Sequence, residues 1–351
     1  MSVRRIPPSY FASAFGLSGL TEVWRIAAGQ HRAPVAVATA LSAVSGLVFV
    51  GVLAAYLAYA ATHRDVVKQD LFHPVTGPFL SLVTIVPMFL SLLGVYPYAP
   101  VAGKAMFEVF LVLTVLLGSW FVGHWIVAGI DAAHVHPGYF LPTVAGGLIG
   151  ADGAALVGEH RLAEVMFGYG LISWIVLGSI VLGRLISHPI PPTLLIPTLA
   201  IQTAPPAVAT LAWLDDHPGH IDAFVSGLGG YGALMILVQV RLLPDYLRLP
   251  FMPSTWAFAF SGSVCAAAGL YWLDAERPAG FEAEEYLVIG AITLLVASIA
   301  VRTLIEPLRE MQDADGDGGG PVALVDEAAA LAFPEDLPVL ASAAAAPDSD
   351  A

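Results

Sequence analysis

The 351-residue chain is 57% hydrophobic, only 12% charged, and has a mean hydropathy of +0.77. A soluble domain carries about a quarter charged residues, so the composition excludes that class and fits an all-α integral membrane protein. The formal net charge of −14 offers no basic surface to a nucleic acid. Ten of the acidic residues lie from Glu310 onward with no basic one, which leaves 14 basic and 18 acidic residues in 1–309.

Apolar stretches recur from residue 8 to about 306, each near the ~20 residues that a helix needs to cross a bilayer. Ten fit: 8–27, 34–61, 77–96, 104–130, 139–157, 162–186, 192–214, 222–243, 254–273 and 285–306. The expected organisation is therefore a transmembrane domain over 1–309 and an acidic, disordered cytoplasmic tail over 310–351. The tail is rich in Ala, Asp, Gly and Pro and has no sustained period. Its Asp313 to Gly318 run imitates the start of a calcium loop, yet Leu324 stands where the bidentate Glu belongs.

The first stretch holds small residues at 12, 13, 14, 16, 18 and 19, which permits close helix contact. No cleavable signal is expected, because Arg4 and Arg5 are followed by Pro7, Pro8 and a segment broken by Gly16 and Gly19. The break at 62–70 ends in His73-Pro74-Val75-Thr76-Gly77-Pro78, where Pro and Gly mark re-entry into the membrane. His73 there is a candidate proton or anion contact, with helix capping at an interface as the plainer reading.

The fourth stretch carries Lys104 and Glu108, spaced to pair across one turn, and His124, which reads as a deep ionisable group with a functional claim. Asp131, His134 and His136 follow in what reads as a solvated loop. No metal site is expected from them, and Cys265, the single cysteine, provides neither a disulfide nor a thiolate site. Pro142 near the start of the fifth stretch removes a backbone hydrogen bond, as do Pro197, Pro205 and Pro206 in the seventh. In lipid the freed carbonyls need water or a neighbour. Broken or small-residue stretches thus occupy the odd positions and unbroken ones the even positions, an arrangement that five helical hairpins in a ring would produce.

The ninth stretch opens Ser254-Thr255-Trp256-Ala257-Phe258-Ala259-Phe260-Ser261. On a helix Phe258 and Phe260 point about 200° apart, so one can pack behind while the other enters whatever the helix lines. Lys and Arg divide nine to five between the two faces when both termini are cytoplasmic, which sets the expected orientation.

Six blocks in register carry a family resemblance: His73-Pro74-Val75, Tyr139 to Ala145, Phe167 to Gly170, Ala204 to Ala207, Gly230 to Gly232 with Arg241 to Pro244, and Trp256 to Phe260. With them the chain resembles the tellurite-resistance/dicarboxylate transporter family, of the TehA type, over residues 8–306. That resemblance implies a homotrimer in the plasma membrane, each protomer holding its own pore inside a quasi-fivefold ring of ten helices. It implies a gate at Phe260 with Phe258 behind or beside it, a small inner-helix residue at Gly16, and kinks at positions such as Pro142 and Pro205. Ala14 and Ser261 stand where relatives bend helices one and nine with proline, so kinks there are left open.

The function implied is passage of small anions such as chloride or nitrate, without cofactor or enzymatic step. The alternative is a proton-linked carrier of C4-dicarboxylates, tellurite or sulfite, for which His73 and His124 are the candidate ionisable contacts. A haem-binding oxidoreductase is a third reading, disfavoured because only His124 falls within a stretch and no paired ligand matches its depth.

Overall fold

The computed structural model describes residues 5–218 and 221–314, and among them every regular element is helical. Residues Met1–Glu306 form one compact unit and Pro307–Ala351 a second. Of the second unit only the end of one helix is described. The acidic tail expected from residue 310, with its calcium-loop look-alike, otherwise lies outside the described residues.

The α-helices are α1 (Phe11–Gly29), α2 (Val35–Thr62), α3 (Val66–Phe72), α4 (Leu82–Leu90), α5 (Pro100–Ala128) and α6 (Gly146–Leu156). They continue with α7 (His160–Ser187), α8 (Ala204–Asp216), α9 (Ala223–Tyr246), α10 (Trp256–Glu276) and α11 (Phe281–Ala314). Helices α1, α4, α6, α8 and α10 are each entered through a tighter 3-10 stretch: Pro8–Tyr10, Gly77–Ser81, Pro137–Phe140, Thr193–Thr203 and Pro253–Thr255. Two π turns add to this, Ser91–Val95 after α4 and Leu141–Ala145 before α6. Proline contributes to the pattern, since it lacks an N–H and fits best where a first turn leaves that donor unused. Pro8, Pro78, Pro137, Pro142, Pro205, Pro206 and Pro253 all sit at such starts. Helices α2, α5, α7, α9 and α11 run unbroken for 24 to 34 residues. Helices α1 and α10, where bends were left open, are continuous past their 3-10 entries.

Eight helical stretches are long and apolar enough to cross a membrane. Among them the unbroken helices bury only 17% to 28% of their most apolar window, whereas the broken stretches Gly77–Val95, Thr193–Asp216 and Pro253–Glu276 bury 56% to 89%. The broken stretches are therefore the inside of the unit, and the unbroken ones present apolar faces outward. The stretches around α1 and α6 fall outside the eight: α1 carries Glu22 and Arg25, and α6 is only 11 residues long, although ten of these are buried. The inner helices touch in succession, α1 with α4, α4 with α6, α6 with α8, α8 with α10, and α10 with α1.

Polar ties hold the ends. Asp70, at the end of the extra helix α3, is fully buried. It accepts hydrogen bonds from Arg5 at 2.6 Å and from the Tyr56 hydroxyl at 3.0 Å. Arg32 donates to the buried Glu285 at 2.5 Å, fastening the α1–α2 turn to α11. Lys104 bonds Glu159 across the α6–α7 turn and keeps Glu108, its expected partner, only at 3.9 Å. A carboxylate from another helix reaches the ammonium more directly than the one a turn below.

Helices α1 and α10 pack closely through glycine. A Cβ built on Gly16 would stand 2.7 Å from the Ala259 Cβ and 2.9 Å from the Trp256 ring, and one on Gly19 would stand 3.0 Å from Ser263 and 3.1 Å from Phe260. Small residues let backbones approach where lipid provides no hydrophobic drive for association. Gly16→Leu is expected to force the pair apart and cost about 1–3 kcal/mol. Its thermal midpoint in detergent should fall, while Gly51→Leu on the exposed face of α2, where an added Cβ meets nothing within 4 Å, should melt like the parent.

Candidate functional site

The five inner helices enclose a cavity of about 40 Å³, room for two or three waters. Each contributes from its entry or first turns: Ala12 and Phe15 of α1, Phe79 and Leu82 around the start of α4, Val144 and Leu148 around that of α6, Ala204 and Pro205 of α8, and Ala257 and Phe260 of α10. Farther along, Glu22 of α1, Asp152 of α6, Asp215 of α8 and Tyr271 of α10 also lie close together. N-terminal ends that gather at one level and C-terminal ends at another make these helices parallel. Their macrodipoles accordingly point positive ends at the cavity and negative ends at the acidic level.

The ring of Phe260 is stacked on that of Phe15, centroids 3.6 Å apart and planes 15° from parallel, with Phe89 of α4 edge-on at 6.5 Å. It is 6% exposed and forms part of the cavity wall. Phe258 points the other way, edge-on to Tyr246 of α9 at 4.9 Å, and does not line the cavity. The 200° separation of two residues on a helix divides the pair in this manner.

The remaining predicted residues are dispersed. Gly16 is the α1–α10 contact point and not a wall residue. Pro205 lines the cavity at the change from 3-10 to α-helix, and Pro142 sits in the π turn before α6, its carbonyl against Gly118 of α5. His73 caps a turn, its Nδ1 accepting from Val75 and Thr76 N–H groups. The sequence placed His124 deep, but it lies one turn from the end of α5, half-buried between Trp120, stacked at 5.4 Å, and the edge of Phe72 at 4.9 Å. Neither histidine lines the cavity. Among the described residues no group of three or more His, Cys, Asp or Glu could hold a metal ion.

Sequence reasoning missed the acidic level. Tyr271 donates to Asp215 Oδ1 at 2.7 Å, and the carboxyl of Asp152, fully buried with an Oδ1 that has no hydrogen-bond partner, lies near that of Asp215. Arg25, a neighbour of Glu22, donates to the Leu93 carbonyl at 2.7 Å. Three acids from three helices thus converge with a tyrosine from a fourth.

The sequence profile of the family described as SLAC1, voltage-dependent anion channel, matches residues 5–304. The chain belongs to that family. It is 26% identical over 256 residues to the tellurite resistance protein TehA homolog of Haemophilus influenzae, covering 73% of this chain and 77% of that one. It is 22% identical over 312 residues to the guard cell S-type anion channel SLAC1 of Arabidopsis thaliana, covering 86% of this chain and 56% of the relative. An uncharacterized transporter, MJ0576 of Methanocaldococcus jannaschii, is 23% identical over 313 residues and matched over 90% of its length.

Behind the cavity wall lies a second feature the sequence misplaced. His136, expected in a solvated loop, is fully buried with its ring stacked on Phe79 at 6.0 Å. Its Nδ1 accepts from the Gly138 N–H at 3.1 Å, so its Nε2–H donates to the Val75 carbonyl at 3.2 Å, joining the entries of α4 and α6. Burial pulls its pKa down from 6.5 to about 4, the Val75 bond opposing. The unfolded chain therefore binds a proton that the folded one refuses. The stability at stake is fully present above pH 6.5 and is lost as pH falls toward 4. At ~1.36 kcal/mol per unit this amounts to roughly 3 kcal/mol. Denaturant midpoints measured from pH 7.5 to 4 should decline, and a His136→Gln variant, which cannot titrate, should decline less by about that amount.

Proposed function

We propose that this protein is an anion channel or facilitator whose conduction path is the space between the five inner helices and whose gate is Phe260. The proposal includes ten spans forming five helical hairpins in a quasi-fivefold ring, a homotrimer of such units, and a plasma-membrane orientation with both termini cytoplasmic. One observation carries it: Phe260 occupies the wall of a cavity to which all five inner segments contribute, stacked on Phe15 from the facing helix. The nine-to-five division of Lys and Arg supports the orientation, and membership of an anion channel family supports the ion class. An apolar lumen disfavours dehydrated ions of both signs but passes large, weakly hydrated anions such as chloride or nitrate more readily, and turning one ring is enough to open it.

Phe260→Ala in proteoliposomes is expected to raise nitrate and chloride conductance about tenfold or more, the factor that ~1.4 kcal/mol of barrier represents. Phe258→Ala, on the α9 side, should leave the current near that of the parent. A folded Phe260→Ala protein with the parent's current would remove the gate from that residue.

The acidic level favours a second reading, a proton-linked carrier of C4-dicarboxylates, tellurite or sulfite. Clustered carboxyl groups inside a membrane are the usual parts of a proton relay, and the Haemophilus relative is named for tellurite resistance. Under that reading uptake saturates, follows an imposed pH gradient and is abolished by Asp152→Asn. Ohmic anion current that ignores the gradient decides for the channel.

A further inference from the structure

The cavity wall contains two polar side chains, Ser254 and Ser261, each more than nine-tenths buried and each with an Oγ that has no hydrogen-bond partner. They are seven residues apart, two turns, and so share one face of the entry to α10. A buried hydroxyl without a partner forgoes its hydrogen bond to water, so a pair of them in one wall calls for an explanation. Neighbours repeat the theme: Gln202 Nε2 beside wall residue Ile201, and Thr143 Oγ1 beside Val144, are buried donors without partners as well. All four lie where the positive ends of five parallel helices converge.

We infer that this cavity is a binding site for one monovalent, weakly hydrated anion of the chloride, bromide or nitrate kind, held by the hydroxyls of Ser254 and Ser261. The inference rests on the channel reading and deepens it by placing the ion. With Phe260 against Phe15 neither serine oxygen reaches solvent. Once that ring turns, a change between staggered χ1 rotamers swings each hydroxyl into the lumen. The anion then exchanges part of its water for two O–H donors and the field of the helix starts, with no cation in the wall to trap it. A multivalent anion such as sulfate fits poorly, since two neutral donors replace too little of its hydration.

The test uses the purified full-length protein in the Phe260→Ala background, where the path is open. Conductance is recorded against nitrate concentration with and without Ser254→Ala and Ser261→Ala. Both substitutions remove hydroxyls that have no partner, so the thermal midpoint should hold or rise. The half-saturating nitrate concentration should increase at least about fivefold, as expected for lost hydrogen bonds to a charged group. An unchanged half-saturation beside a robust current overturns the site and leaves the channel reading standing. If Phe260→Ala carries no anion current, the channel reading falls, and crystals of that variant grown in bromide decide the site. An anomalous bromide peak within hydrogen-bonding distance of both serines, absent from the double alanine variant, supports it; an empty cavity overturns it.

Discussion

The centre of this molecule depends on α10 lying against α1 with almost nothing between their backbones. Gly16 and Gly19 offer no side chain to Ala259, Ser263 and Trp256, so the two helices meet at a spacing that larger residues would forbid. That approach brings Phe260 onto Phe15 in a near-parallel stack and joins the last inner helix in sequence, α10, to the first, α1. In lipid, helices gain little by hiding apolar surface from one another, so small residues and van der Waals fit supply the attraction.

The five 3-10 entries express a second rule of the bilayer, that irregular backbone is tolerated only where protein or a cavity covers it. The broken stretches are the buried ones and the unbroken helices the exposed ones, and this follows directly. A proline-bearing helix start turned to lipid would leave carbonyls with no partner. The same start turned inward is covered by protein, as where the Pro142 backbone packs on Gly118 of α5.

Much of this was legible in the chain. The apolar stretch written as 34–61 is α2 at Val35–Thr62, and 162–186 is α7 at His160–Ser187, because uninterrupted hydropathy of that length has one outcome in a membrane. The division of labour between Phe258 and Phe260 followed from helical angle, but choosing which ring faces inward required the family resemblance. Phe15 could not be found, since its importance comes from a residue 245 positions later. Asp152 and Asp215 are 63 positions apart, and nothing in the local pattern joins them. His136 reads as loop because Asp131 and His134 precede it and Pro137-Gly138 follows; only the Val75 carbonyl, 61 residues away, explains its burial. His124 differs in the opposite sense: the apolar stretch runs to residue 130, whereas α5 stops at Ala128, and the ring rests near the helix end.

The entry to α8 is unusual in its length. Thr193–Thr203 winds as a 3-10 helix for 11 residues, where such runs seldom exceed three or four. At ~2.0 Å per residue instead of ~1.5 Å, this stretch is about 5 Å longer than the same residues would be as an α-helix. The tighter winding thus acts as a spacer. It fixes the height at which Pro205 arrives at the cavity and, one rigid helix later, the height at which Asp215 arrives beside Tyr271. Rewinding it by a single class of hydrogen bond would draw both levels along the molecular axis together, without any hinge.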